Sequence, residues 1–199
     1  MPRLTRITPA DHVHMPWKNG KGSTAEIAVR RPKGNDRFLW RLSQAQVPED
    51  GPFSDFSGYD RTLVLIEGTK LGLDFGAGRA ARLEAPYAHA SFAGDWPTVA
   101  TLAGGPVADL NIMTDRARAK HKFTLLTAST GQSARSEAGT IIVHALSGAS
   151  VAALESGEKI ALNAGDTLVI ERDDTGPLAV TVTSDAAAAQ VGLIEISAA

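Results

Sequence analysis

The chain has 199 residues, 43% hydrophobic and 21% charged, with a net charge of −2 and no cysteine. That length makes one large domain or two small ones, with enough material to bury a core. The charge balance argues against a general nucleic-acid binder, which needs a basic face to meet phosphates, and the missing thiols exclude disulfides, zinc–thiolate sites, iron–sulfur clusters and cysteine catalysis.

The opening Met1-Pro2-Arg3-Leu4-Thr5-Arg6 lacks the apolar core of a signal peptide. No later run approaches the ~18 apolar residues of a membrane-spanning helix. A soluble, cytoplasmic chain with no membrane partner is therefore expected. His12-Val13-His14 has the spacing of two metal ligands on one strand face, but it precedes every strand that the pattern defines, and His89, His121 and His144 stand alone. The histidines are read as structural or surface groups, and no metal or cofactor is expected.

The densest segment follows: Pro16-Trp17-Lys18-Asn19-Gly20-Lys21-Gly22-Ser23-Thr24-Ala25-Glu26-Ile27-Ala28. Aromatic, cationic and amide groups beside glycines suit a grip on a small polar ligand. It is not a phosphate loop, because that motif places Lys directly before Ser or Thr, and here Gly22 follows Lys21.

Beyond it the apolar runs are short, rich in Val, Ile and Leu, and punctuated by Gly, Pro, Asp and Asn, which reads as strands and turns. Strands are predicted at 26–30, 38–45, 62–67, 71–75, 98–102, 107–113, 141–146, 150–154, 167–171, 178–182 and 191–196, with 130–140 as a connection. Leu63–Gly68 leads to a later Gly94-Asp95, and Ile141–Gly148 leads to Gly165-Asp166. This cadence is typical of the double-stranded β-helix of cupins, and its recurrence predicts an all-β chain of two stacked cupin barrels, a bicupin. An unrelated sandwich with coincidental Gly-Asp turns is the alternative. The halves are taken as 1–120, with the ligand pocket, and 121–199, a second cupin-like barrel.

Strand alternation assigns faces. Arg41 and Ser43 share one side of their strand, and Asp109 and Asn111 share the side opposite Ala108, Leu110 and Ile112. Arg61 opens a strand that is otherwise apolar on both faces. With Trp17, Lys18 and Asn19, these residues could line a polar pocket whose net positive character suits a small anion, most simply a carboxylate. The same pattern also fits an exposed polar face with ordinary ion pairs. Phe53, Phe56 and Tyr59 could wall such a pocket or pin their loop to the core; pinning is the reading taken for Phe56 and Tyr59.

The motifs Pro16-Trp17-Lys18-Asn19-Gly20 with Thr24–Ala28, Trp40-Arg41-Leu42-Ser43, Asp50-Gly51-Pro52-Phe53-Ser54, Asp60-Arg61, Phe92-Ala93-Gly94-Asp95-Trp96 and Gly105-Pro106-Val107 with Asp109, Asn111 and Met113 together resemble the HutD/Ves family of bacterial cupin-like proteins. The resemblance runs through the first three-fifths of the chain; Lys21 departs from it by placing a charge in the glycine-rich tract. It implies a metal-free bicupin tied to histidine utilisation, acting as a regulator rather than a pathway enzyme, with urocanate, formylglutamate or a formate-like carboxylate as ligand. Three roles stay open: a binding module built on Trp17, Lys18, Asn19, Arg41, Ser43, Arg61, Asp109 and Asn111; a metal-free enzyme with Asp109 or Glu26 as base; and an interaction scaffold. Homodimerisation through a sheet edge is compatible with each.

Overall fold

The computed structural model describes residues 2–17, 22–34, 37–173, 176–186 and 189–199. It is all-β: among the described residues there are nineteen strands, two short 3-10 turns and no α-helix. No helix is long and apolar enough to cross a membrane. In chain order the strands are β1 (Arg3–Ile7), β2 (Val13–Pro16), β3 (Ser23–Arg30), β4 (Trp40–Val47), β5 (Gly51–Pro52), β6 (Tyr59–Glu67), β7 (Leu71–Asp74), β8 (Ala80–Leu83), β9 (His89–Ala93) and β10 (Val99–Leu102). They continue with β11 (Val107–Asp115), β12 (Ala119–Thr127), β13 (Gln132–Ser136), β14 (Thr140–Ser147), β15 (Ser150–Leu154), β16 (Lys159–Leu162), β17 (Thr167–Glu171), β18 (Leu178–Thr183) and β19 (Gln190–Ala198).

Each predicted strand is present, 150–154 and 167–171 with the predicted ends and the others with shifted ones. The additional ones are β1, β2, β5, β8, β9, β12, β13 and β16. They are short, edge-placed or rich in polar and small residues, so their backbone pairing rather than their side chains holds them in a sheet. β13 occupies the stretch read as a connection, and β2 is a strand that contains His14, while His12 precedes it.

The chain divides into two compact units. One runs from His12 to Ala119, and the other joins the N-terminal segment ending at Asp11 to Lys120–Ala198. The sequence reading kept residues 1–11 with the first half, because nothing local marks β1 as a partner of β17. Yet β1 pairs antiparallel with β17, Leu4 opposite Ile170, and Arg6 bonds Asp166 at 2.7 Å.

The 12–119 unit holds a six-stranded sheet, β2-β3-β4-β11-β6-β9, and a four-stranded sheet, β5-β10-β7-β8. The other unit holds β1-β17-β14-β19-β12 and β13-β18-β15-β16. The order β4-β11-β6-β9 with β5-β10-β7-β8 recurs as β12-β19-β14-β17 with β13-β18-β15-β16, each strand eight places further along. The duplication is thus real at the level of pairing, but the Gly-Asp echo is misaligned. Gly165-Asp166 leads into β17, whereas Gly94-Asp95 follows β9, the counterpart of β17. The true counterpart of Gly165 is Tyr87. Tyr87 N–H donates to Leu65 O at 2.9 Å as Gly165 N–H donates to Ala145 O at 2.8 Å, and both have positive φ, 63° and 88°. A tyrosine hides a turn that glycine advertises.

The two sheets of each unit meet through one apolar face. In the 12–119 unit Val47, Leu63, Leu65, Phe92 and Val107 meet Leu71, Leu73, Phe75, Leu83 and Ala100. In the other, Ile141, Val143, Ala145, Leu168, Ile170, Val191 and Leu193 meet Ala152, Leu154, Leu162, Val180 and Val182, with Leu4 packed at the margin. Leu4→Ala is expected to lower the unfolding free energy by about 1–2 kcal/mol, the value of burying such a side chain in part, read as a drop in urea midpoint. An unchanged midpoint would mean that β1 does not hold this unit.

Candidate functional site

β11 is buried along all nine residues, although it carries Asp109, Asn111, Thr114 and Asp115. Its register fixes which polar groups meet. Met113 lies opposite Arg41 on β4 and Arg61 on β6; Asn111 lies opposite Ser43 and Leu63; Asp109 lies opposite Ala45 and Leu65. Alternation puts these residues on one face of the sheet, and that face looks into a cavity of about 530 Å³. Of the expected residues, Trp17, Arg41, Ser43, Arg61, Asp109 and Asn111 line it. Lys18, Asn19 and Lys21 lie outside the described residues.

Trp17 is seated by two local contacts. Its Nε1 donates to Thr24 Oγ1 at 2.9 Å, and its backbone N–H donates to Gly22 O at 2.9 Å. A Cβ on Gly22 would stand 2.8 Å from the Trp17 ring and 2.7 Å from Gln46 O. This glycine therefore serves the close packing of Trp17, not a backbone cradle for a ligand.

Arg61 is the unusual group. It is 3% exposed, and its guanidinium carbon lies 5.0, 5.2 and 5.7 Å from the ring centres of Phe92, Phe56 and Phe53. Among the described residues no carboxylate forms an ion pair with it, and its Nε has no hydrogen-bond partner. Burial lowers its pKa to about 10; Asp109 works against this and Arg41 adds to it. The group stays charged at neutral pH. Arg41 differs, since its Nε donates to Glu26 Oε2 at 2.8 Å and Arg31 reaches the same carboxylate at 3.3 Å. Of the two arginines facing the cavity, only Arg61 has an uncommitted charge.

Asp109 is 1% exposed, and its Oδ1, like Asn111 Oδ1, is buried without a partner. Burial raises its pKa to about 7, against the pull of Arg61. The cavity therefore offers a cation in an aromatic cage and, two and four residues along β11 from Met113, an open amide oxygen and a carboxyl poised between its two protonation states.

The aromatic cage was only partly legible. Phe53 and Phe56 stood in a recognised patch, but Phe56 walls the cavity instead of merely pinning its loop. Tyr59 is the pin, stacked on Phe38 with ring centres 4.2 Å apart. Phe92 stands in the Phe92–Trp96 motif, but the motif gives it no part in the cage; it sits on β9, opposite Arg61. Glu26 had been weighed only as a base, and its tie to Arg41 and Arg31 makes it a charge partner. No cluster of three or more His, Asp or Glu suited to a metal occurs among the described residues.

A family model described as HutD matches residues 9–189. The chain belongs to the HutD family. An uncharacterized 21.2 kDa protein of the hutC 3′ region of Pseudomonas putida is 36% identical over 113 residues, 57% of this chain and 59% of that protein. Protein Ves of Citrobacter koseri is 40% identical over 107 residues, 53% of this chain and 55% of that protein. The chain thus spans a little over half the length of these curated relatives. HutD from Pseudomonas fluorescens, solved in a formate condition, superposes with a TM-score of 0.84 at 30% identity, covering 99% of this chain and 100% of that one. Solved structures at 12% identity share the cupin-like all-β fold alone.

The second unit of this HutD-family chain has apolar residues at the positions that match Arg61, Asp109 and Asn111. Matching the register of β14 and β19 to β6 and β11 sets Ile141, Val191 and Leu193 where the first unit has Arg61, Asp109 and Asn111. All three are buried in the apolar core.

Two outcomes follow from this geometry. A Cβ on Gly94 would stand 2.3 Å from Phe56 O, so Gly94→Ala should shift the Phe56 loop and cost about 1–3 kcal/mol, as overpacking does, measured by urea unfolding. The Asp109 pKa in the fold, about 7, lies above its ordinary 3.8. The folded chain therefore holds more protons than the unfolded chain between those values, and stability from this group falls as pH rises through them. The loss approaches roughly 4 kcal/mol as an upper bound. Asp109→Asn should remove that part of the pH dependence when urea midpoints at pH 4.5 and 8 are compared.

Proposed function

We propose that this HutD-family chain is a binding protein that holds a small carboxylate against Arg61, and that the ligand is an intermediate of histidine utilisation such as urocanate or formylglutamate, through which the chain regulates that pathway. In this reading the two units are two cupin barrels, and the first holds the ligand without a metal. The observation that carries the proposal is a buried guanidinium facing a cavity with no carboxylate partner among the described residues. An uncompensated buried charge costs several kcal/mol. A planar oxyanion would offset this through paired charge-assisted bonds to the guanidinium fork. Trp17 and the phenylalanines would cover the ligand's planar or apolar part. The formate condition of the P. fluorescens HutD structure makes formate the natural minimal probe.

One observation favours a second reading. A buried carboxyl near neutral pKa beside an arginine also suits a general base, so an enzyme acting on a small carboxylate is the alternative. Turnover of histidine-pathway intermediates followed by NMR, and lost in Asp109→Asn, would favour it.

Thermal unfolding with formate, urocanate and N-formylglutamate tests the binding reading. A ligand at 100 times its Kd should add about 2.7 kcal/mol. Arg61→Ala should abolish the effect while the β-sheet circular dichroism of the ligand-free protein is retained. A full ligand effect in Arg61→Ala, or none with any of the three in the native chain, would overturn it.

A further inference from the structure

Resting on the anion-binding reading above, a second group on the same sheet face as Arg61 bears on the ligand. Asp109 and Asn111 line the cavity, and each has one side-chain oxygen buried without a hydrogen-bond partner. An ionised Asp109 is the wrong complement for a guest whose oxygens are themselves negative. A carboxylate entering beside an ionised Asp109 would meet like charge in a water-poor site, where repulsion is strong. A carboxylic acid at the same position removes the repulsion and supplies a donor.

The surroundings leave Asp109 free to make that change. The charges on its sheet face are Arg61 from β6 and Arg41 from β4. Glu26 of β3 is held by Arg41 and Arg31, and Asn111 of β11 itself is neutral. The facing sheet brings Leu71, Leu73 and Phe75 into the core, and its Asp74 and Arg82 are exposed. Glu67, at the far end of β6, is exposed. Arg61 influences Asp109 but forms no ion pair with it, so no salt bridge locks Asp109 in the ionised form. Histidines, which titrate in the same range, are absent from the cavity lining among the described residues.

We propose that Asp109 is a specificity-determining residue that meets the ligand as a protonated carboxyl, so that each carboxylate bound brings one proton from solvent onto Asp109. The proton moves from water to an Asp109 oxygen as the anion arrives, and returns as it leaves. The site then takes a monoanion plus a proton, a neutral pair, and charge in the cavity is unchanged by occupancy. Asp109 begins to ionise in the empty site near pH 7. Affinity is therefore flat below that pH and falls above it, by as much as tenfold for each pH unit. The cavity favours guests whose oxygens accept a hydrogen bond and disfavours those that need a second cation.

The probes are sodium formate and N-formylglycine, both monoanions and fully ionised above pH 5.5. Calorimetric titration from pH 5.5 to 8.5, in buffers of different ionisation heat, should show Kd rising five- to tenfold between pH 7.5 and 8.5. Proton uptake should approach one per ligand at pH 8. Asp109→Asn, whose amide donates at every pH, should bind with a Kd that no longer varies and without proton uptake. In the ligand-free native chain, the carboxyl carbon signal of Asp109 should titrate near neutrality and move to higher pH with either probe. Binding that ignores pH, or a pH dependence that survives in Asp109→Asn, overturns the proton coupling and leaves anion binding standing. An Asp109 signal that titrates below pH 5 in the ligand-free chain overturns it without reference to any ligand. No binding of either probe at any pH overturns both readings.

Discussion

The burial of one uncompensated positive charge organises this structure. Arg61 sits on β6 inside an apolar sandwich, where a guanidinium is costly unless something answers it. The phenylalanine cage answers in part, because aromatic faces attract a cation. Asp109 does not complete the neutralisation, since burial raises its own pKa toward neutrality. Arg41, the other arginine lining the cavity, is answered by Glu26. Among the described residues, what remains is one free positive charge with the unpartnered oxygens of Asp109 and Asn111, a set of groups that is unfavourable as a packed core and coherent as a site for a guest.

The two units make the contrast within one chain. The same strand pairing turns apolar residues inward in one and charged and polar ones toward a cavity in the other. At the positions of Arg61, Asp109 and Asn111 the second unit has Ile141, Val191 and Leu193, and its core closes on them. Function in a repeated fold thus lies in a few inward positions, while the sheet pairing that carries them is common to both.

The cage depends on an outer network. Arg116 bonds Asp60 at 2.7 Å and Asp95 at 2.6 Å, and Asp95 also accepts from Gly58 N–H at 3.1 Å. The Phe56 loop is tied to the end of β9 by Phe56 N–H to Gly94 O at 3.1 Å and Gly94 N–H to Tyr59 O at 2.8 Å. Each exposed ion pair is worth little alone. Together they fix the segment that carries Phe53 and Phe56 over Arg61, so the Gly94-Asp95 pair that looked like a repeat marker has a local structural task instead.

The sequence by itself determined the all-β class and the faces of β4 and β11, because a two-residue alternation is written into the order of side chains; it suggested the duplication through a Gly-Asp echo that the strand pairing does not follow. It also carried enough motif to point to the HutD family. Only the tertiary structure decided that β1 belongs with β17, that a tyrosine stands at a glycine turn, and that Phe92 covers Arg61, since each of these depends on pairing between segments far apart in the chain. It alone separated Arg41 from Arg61. Both are arginines on the same sheet face, one answered by Glu26 and the other by no carboxylate among the described residues, and no local pattern records which charge has found a partner.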